Sequence, residues 1–155
     1  MIEPILFERQ HGDYSLSTDR SRLDIPAIHA YLSLEAYWSK GIPLEIVRRA
    51  IQNSLCFGIY RDEAQVGFAR VISDYTTFAY LCDVFILEPY RGQGLGKWLV
   101  ACVLEHPNLQ GLRQFLLFTR DAHGLYARYG FAPLARPERV MSISKPDIYR
   151  SSTGT

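Results

Sequence analysis

Several features that would assign this chain at a glance are missing. Cysteine is scarce: Cys56, Cys82 and Cys102 are three, an odd number, and none stands in a Cys-x-x-Cys arrangement. The four histidines, His11, His29, His106 and His123, are scattered. A disulfide framework and a structural metal site are therefore not expected, and a reducing cytoplasm is the expected setting. No apolar run approaches the ~20 residues that span a bilayer, so no membrane association is expected. The N-terminal residues carry Glu3, Glu8 and Arg9 without a long apolar core, which is unlike a secretory signal. A net charge of +1 argues against a general nucleic-acid binder. Repeats, low-complexity tracts and linkers are absent. The 155 residues thus read as one domain over 1–150, with a polar tail at 151–155 expected to be disordered.

What the chain does have is one stretch rich in glycine. Val84, Phe85, Ile86 and Leu87 read as a strand, which Glu88-Pro89 ends, because proline lacks an N–H and restricts the residue before it. Gly92, Gly94 and Gly96 follow, and then a helical pattern from Lys97 to Glu105, stopped at Pro107. Strand, glycine turn and helix N-terminus together make an anion site: unpaired N–H groups and the positive end of the helix dipole converge. Glycine lets a bulky anion come close. A P-loop needs four residues between its glycines and a Ser/Thr after the lysine; here three residues part Gly92 from Gly96, and Trp98 follows Lys97. A dinucleotide fingerprint would need glycine at 97 or 99. Both nucleotide readings fail. The plain alternative is a glycine-rich turn that holds nothing.

Elsewhere the periodicities predict helices near 25–33, behind the N-cap candidate Asp24, and from Pro43 to Asn53. Strands are expected at 14–17, 54–61, 66–73, 78–87 and 114–119, with short ones at 5–7, 131–134 and 140–144. The apolar run 114–119 suggests a strand buried on both faces and parallel to its neighbour. A short helix is expected over 122–129, ended by Gly130. The sum is an α+β fold: a mixed, mostly antiparallel sheet of six to seven strands with helices on both faces.

Two motifs carry a resemblance. Arg91-x-x-Gly94-x-Gly96, directly after a strand, resembles the coenzyme A pyrophosphate loop of the GNAT N-acetyltransferase superfamily. Downstream, Ala122, Tyr126, Gly130 and Phe131 match the spacing in which members keep an Ala, a Tyr four residues on, and Gly-Phe four residues later. The likeness is strong over 78–134 and looser before it. One departure stands out: where many members place an asparagine seven residues before the tyrosine, this chain has Thr119.

The resemblance implies acyl transfer from acetyl-CoA to an amine of a small molecule or protein, within a ternary complex. It implies cofactor contacts from Phe85, Ile86 and Leu87 through the strand edge, and from the loop Arg91, Gly92, Gln93, Gly94, Leu95, Gly96 and Lys97. Thr119 and Ala122 would join them on the pantetheine arm, with Arg120 or Asp121 as replacements for the usual asparagine. Tyr126 sits where members keep the tyrosine that protonates the departing thiolate; a core aromatic is its plain reading. An alkylamine at pH 7 must lose a proton at a cost of roughly 4–5 kcal/mol, so a base is useful. Asp83, an acid inside an apolar strand, is the candidate base, and a structural salt bridge is the alternative. Tyr37, Trp38, Tyr75 and Arg70 are candidates for the acceptor site, against core or surface roles. Homodimers are common in the superfamily. The competing function is a non-catalytic acyl-CoA-binding or sensing domain.

Overall fold

A computed structural model describes residues 2–150. One six-stranded sheet runs in chain order: β1 (Glu8–His11), β2 (Tyr14–Ser17), β3 (Leu55–Arg61), β4 (Ala64–Ser73), β5 (Phe78–Ile86) and β6 (Gln114–Leu117). The first five pair antiparallel; β6 pairs parallel to β5 from Phe78↔Gln114 to Leu81↔Leu117. Between β2 and β3 lie α1 (Ile25–Leu34) and α2 (Leu44–Gln52). Asp24 caps α1 by accepting from the Ala27 N–H at 3.1 Å, and Pro43 and Asn53 bracket α2. The crossover from β5 to β6 carries α3 (Leu95–Glu105), and α4 (His123–Ala127) follows β6.

The helices cover both faces. Ile28, Leu32, Val47 and Ile51 pack α1 and α2 on Cys56, Phe68 and Phe85. Leu95, Leu99, Val100 and Val103 pack α3 on Leu16, Phe57, Ile59, Val71 and Leu81, with Tyr126 of α4 in the same core. Strand alternation makes both cores possible, since successive side chains leave a strand on opposite faces. Strand β5 breaks that rule once. Ala79 and Leu81 face the α3 core, but so do Val84 and Ile86, whereas Phe85 turns to the α1/α2 side. A register shift against β4 and an Asp83 φ of +53° mark the bulge that inverts the parity.

Four expectations need correction. Residues 5–7 form no strand; the edge strand begins at Glu8, and Phe7 is instead a core residue beside Phe57. Residues 131–134 and 140–144 form no strand, although Met141 to Ser144 alternates apolar and polar. In consequence β6 is not buried on both faces: its residues are half-buried or exposed, and Phe118 just beyond it is 70% exposed. The α3 helix starts two residues earlier than its apolar pattern suggests, at Leu95. The tail 151–155 lies outside the described residues.

Candidate active site

The parallel pairing of β5 with β6 stops at Leu81↔Leu117, while β5 continues to Ile86 on its β4 side. The edge of β5 beyond Leu81 is thus open toward β6. Leu87 donates its N–H to Val66 O at 2.9 Å, on the β4 side. Alternation therefore turns the Ile86 carbonyl to the open side, where Arg91 Nε donates to it at 2.8 Å. Side chains do not line this edge evenly: Phe85 is buried and stacked on Tyr31 (ring centroids 4.0 Å apart), so it offers backbone groups alone. Leu87 packs with it on the α1/α2 face and Ile86 on the other.

The glycine loop follows. Gly92 and Gly94 adopt φ of +82° and +81°, which a residue with a Cβ rarely tolerates. Gly94 is the N-cap of α3, so the N–H groups of Leu95, Gly96 and Lys97 have no acceptor inside the helix. Those of Gly92, Gln93 and Gly94 make no hydrogen bond among the described residues either. Gly96 is informative for another reason. Its φ is not positive, and a Cβ there would meet no atom within 4 Å. Helix propensity favours alanine at such a position, so the bare backbone fits a ligand better than it fits the fold. The loop is held rigid by its neighbours: Gln93 accepts from Tyr14 Oη at 3.1 Å and donates to Tyr90 O at 3.2 Å. Arg91 donates to Tyr31 Oη at 3.2 Å. Leu95 is buried in the core and contributes only its N–H, whereas Lys97 is exposed at the mouth.

The second motif resolves into geometry. Thr119 Oγ1 accepts the Ala122 N–H at 2.9 Å, and Ala122 caps α4. Tyr126 lies one turn on. Gly130, at φ +94°, reverses the chain so that Phe131 packs edge-on against the Tyr126 ring, centroids 5.9 Å apart. The Tyr126 ring is buried, yet its hydroxyl makes no hydrogen bond among the described residues, and the residue lines a cavity of about 550 Å³. Burial, and to a lesser degree the neighbouring Tyr37, pushes its phenol above the ordinary tyrosine value.

On the opposite face the bulge presents Asp83. Its Oδ2 accepts from Arg70 Nε at 2.8 Å and its Oδ1 from Trp38 Nε1 at 2.9 Å. Arg70 also donates to Ser54 Oγ at 3.1 Å. Burial works against the Arg70 charge, but the charge and hydrogen bond of Asp83 more than offset it, leaving the guanidinium above its ordinary value. Tyr37 packs edge-on to Trp38 and lies under the Arg120 guanidinium, 3.8 Å from its ring centroid. Tyr37 thus touches Trp38, whose indole N–H donates to Asp83, and it is also an electrostatic neighbour of Tyr126. Tyr75 is not part of it. It stands at φ +60° in the β4–β5 turn, with Arg20, Cys56 and Glu3 as its electrostatic neighbours.

Ser54, Tyr31 and Tyr14 complete the constellation, and no motif or spacing marks them, because each acts on a group distant in the chain. Arg120, named from the sequence as a stand-in for the usual asparagine, stacks on Tyr37 instead. Asp74 is bound by its own turn: the Thr77 hydroxyl and the N–H groups of Thr76, Thr77 and Phe78 hold its carboxyl well below the usual range. Among the described residues no group of three His, Cys, Asp or Glu could hold a metal ion.

Comparison with known proteins identifies the family and the fold. A model of the acetyltransferase (GNAT) family matches residues 25–131. A protein of Gibberella zeae that carries an acetyltransferase's name is 36% identical over 139 residues, 76% of this chain and 77% of its own. The crystal structure of a protein assigned to the GNAT family, from Xanthomonas campestris pv. campestris, superposes with a TM-score of 0.87 at 56% identity, covering 90% of this chain and 97% of that one. A GNAT-family acetyltransferase from Elizabethkingia anophelis, crystallised with acetyl-CoA bound, shares the fold at 13% identity, with a TM-score of 0.60 over 94% of this chain and 88% of that one.

Proposed function

The chain belongs to the acetyltransferase (GNAT) family, and from that premise we propose that it moves an acetyl group from acetyl-CoA to a primary amine of a small molecule or protein, by direct attack in a ternary complex. The observation that carries the reading is the succession of donors: the open edge of β5 is followed, past the one 3-10 turn Glu88–Tyr90, by six uncommitted N–H groups, from Gly92 to Lys97. An extended amide chain suits the first and a pyrophosphate the second. Acetyl-CoA, when bound, supplies a thioester carbon open to attack.

The residues divide the remaining work. Arg91 and Lys97 add positive charge at the loop. Backbone N–H groups beyond Leu81 on β5 are the donors available to polarise the acyl carbonyl. Tyr126, with a free and protonated hydroxyl, gives its proton to the departing thiolate. Asp83 attracts the acceptor's ammonium group and receives its proton through water, held in place by Arg70 and Trp38. Tyr37 and Trp38, both about two-fifths exposed (43% and 40%), wall the acceptor's approach. Thr119 spends its oxygen on the α4 cap and keeps its hydroxyl proton for the pantetheine arm. The three cysteines are free, which suits the reducing cytoplasm, and no helix among the described residues is long and apolar enough to cross a membrane.

One observation favours a second reading, an acyl-CoA-binding domain without turnover: both oxygens of Asp83 already serve protein donors. A thiol-release assay over a panel of amines, run beside calorimetric titration with acetyl-CoA, separates the two. The proposed activity predicts binding and amine-dependent CoA release. Binding without release for any acceptor supports the second reading. Absence of binding removes both.

A further inference from the structure

Tyr31 touches three parts of the molecule at once, each through a different group. Its ring lies flat on Phe85 of β5, with centroids 4.0 Å apart and planes 14° from parallel. Phe85 is itself buried against Phe68 in the α1/α2 cluster, so the stack fixes Tyr31 on the strand whose edge is open. The Tyr31 hydroxyl accepts from Arg91 Nη2 at 3.2 Å. Its carbonyl accepts from the N–H groups of Glu35 and Ala36 at 2.9 and 3.0 Å. That last pair closes α1 and starts the turn that carries Tyr37 and Trp38, beside Asp83. One residue thus joins the β5 edge, the glycine loop and the segment that walls the acceptor's approach.

The hydroxyl is the part that packing does not explain. A phenylalanine would make the same stack, and among the described residues the hydroxyl bonds to Arg91 alone. Arg91 is exposed and takes part in no ion pair among the described residues. Two of its five N–H donors are committed, Nε to Ile86 O at 2.8 Å and Nη2 to Tyr31. The other donors and the charge are left for a ligand. A long exposed arginine samples many rotamers, and ordering it during binding costs affinity. Here two acceptors, one on β5 and one on α1, hold the fork before a ligand arrives.

We propose, on the reading that the loop takes acetyl-CoA, that Tyr31 is a positioning residue whose hydroxyl holds the Arg91 guanidinium ready for the pyrophosphate and whose carbonyl passes occupancy of the donor site to the turn at 35–38. An Arg91 clamped by phosphate holds Tyr31 more firmly. Tyr31 in turn holds the amides of Glu35 and Ala36, and the Tyr37–Trp38 wall becomes more ordered. Donor and acceptor then bind with positive coupling, because whichever binds first bears the cost of ordering a segment that both use.

Calorimetry and hydrogen exchange with acetyl-CoA test this on the full chain, in wild type, Y31F, R91A and the double variant. Y31F keeps the ring and the carbonyl, and thermal melts verify that each variant folds; R91A removes the same bond from its other side. Y31F should weaken acetyl-CoA binding by about three- to ten-fold, as the loss of one hydrogen bond does. R91A should weaken it further, and the double variant should bind no worse than R91A, since the hydroxyl acts through Arg91. Saturating acetyl-CoA should slow amide exchange at 35–38 in wild type and leave it unchanged in Y31F and R91A. Wild-type affinity in Y31F overturns the inference while the acetyl-CoA reading stands. So does a double variant weaker than R91A by the full Y31F factor, and so does exchange at 35–38 that ignores acetyl-CoA in wild type or responds to it equally in the variants. Wild type that does not bind acetyl-CoA removes that reading, and the inference with it.

Discussion

Arg70 Nε and Asp83 Oδ2 meet at 2.8 Å across adjacent strands, on side chains only 16% and 12% exposed. The contact exists because Asp83 sits in a bulge at φ +53°, which turns it to the face that Arg70 occupies. Breaking one partner of a buried pair leaves an uncompensated charge, at a cost of about 3–5 kcal/mol. D83A should therefore lose that order of stability in chemical denaturation. D83N should lose less, since asparagine tolerates a left-handed backbone and still accepts from Trp38. Under the proposed mechanism both should lower turnover well below wild type. A D83N enzyme with wild-type turnover would remove the proton-accepting role and leave Asp83 as a scaffold for Arg70.

Gly96 permits a test in which stability and binding move in opposite directions. G96A places a methyl group in open space on the first turn of α3. The helix should gain about 0.5–1 kcal/mol in stability, as alanine does over glycine. Acetyl-CoA affinity by calorimetry should fall at least ten-fold if the loop cradles a pyrophosphate. G94A is the control for backbone strain: at φ +81° it should destabilise the fold as well.

Tyr126→Phe should lower kcat ten-fold or more with little change in acetyl-CoA affinity, as expected of a general acid. Burial raises the phenol above 10.0, so the hydroxyl stays protonated at every pH below that value. The pH–rate profile of wild type should accordingly show no loss assigned to Tyr126 until the medium passes pH 10. A profile that falls on an acidic group near neutrality, and is unchanged in Y126F, would assign the acid elsewhere.

The cysteines predict alkaline instability. Burial raises Cys56 and Cys82 from 9.0 to about 12 and Cys102 to about 11. The folded pKa values lie above the unfolded one, so the unfolded chain gives up these protons first. Stability from this source is complete below pH 9 and drains away as pH rises toward 11–12. For Cys56, only 1% exposed, the slope approaches ~1.4 kcal/mol per pH unit in that window. Urea midpoints measured below and above pH 9 should show the fall, and C56A should flatten it.

Much of the donor side was legible in the chain. The glycines at 92, 94 and 96 and the spacing of Ala122, Tyr126, Gly130 and Phe131 are local features, and each maps onto one turn or one helical step. The acceptor side was legible only as residue types. Tyr37, Trp38, Arg70 and Asp83 could be named as candidates, but nothing in their spacing says that they touch. Tyr75 looked equivalent to Tyr37 as an aromatic in an irregular stretch, and it lies with Arg20 and Cys56 instead. The strand expected at 140–144 shows the same limit: alternation reports what a segment can pair with, not whether a partner stands beside it.

The sequence by itself determined most of the elements and the glycine-rich loop, because periodicity, caps and glycine positions act over a few residues. Only the tertiary structure decided which face Asp83 takes. A bulge of one residue inverts the parity of β5, and no periodicity within the strand predicts where that residue lies; it is set by register against β4. The same register ends the β5–β6 pairing at Leu81↔Leu117 and opens the edge on which the proposed chemistry depends.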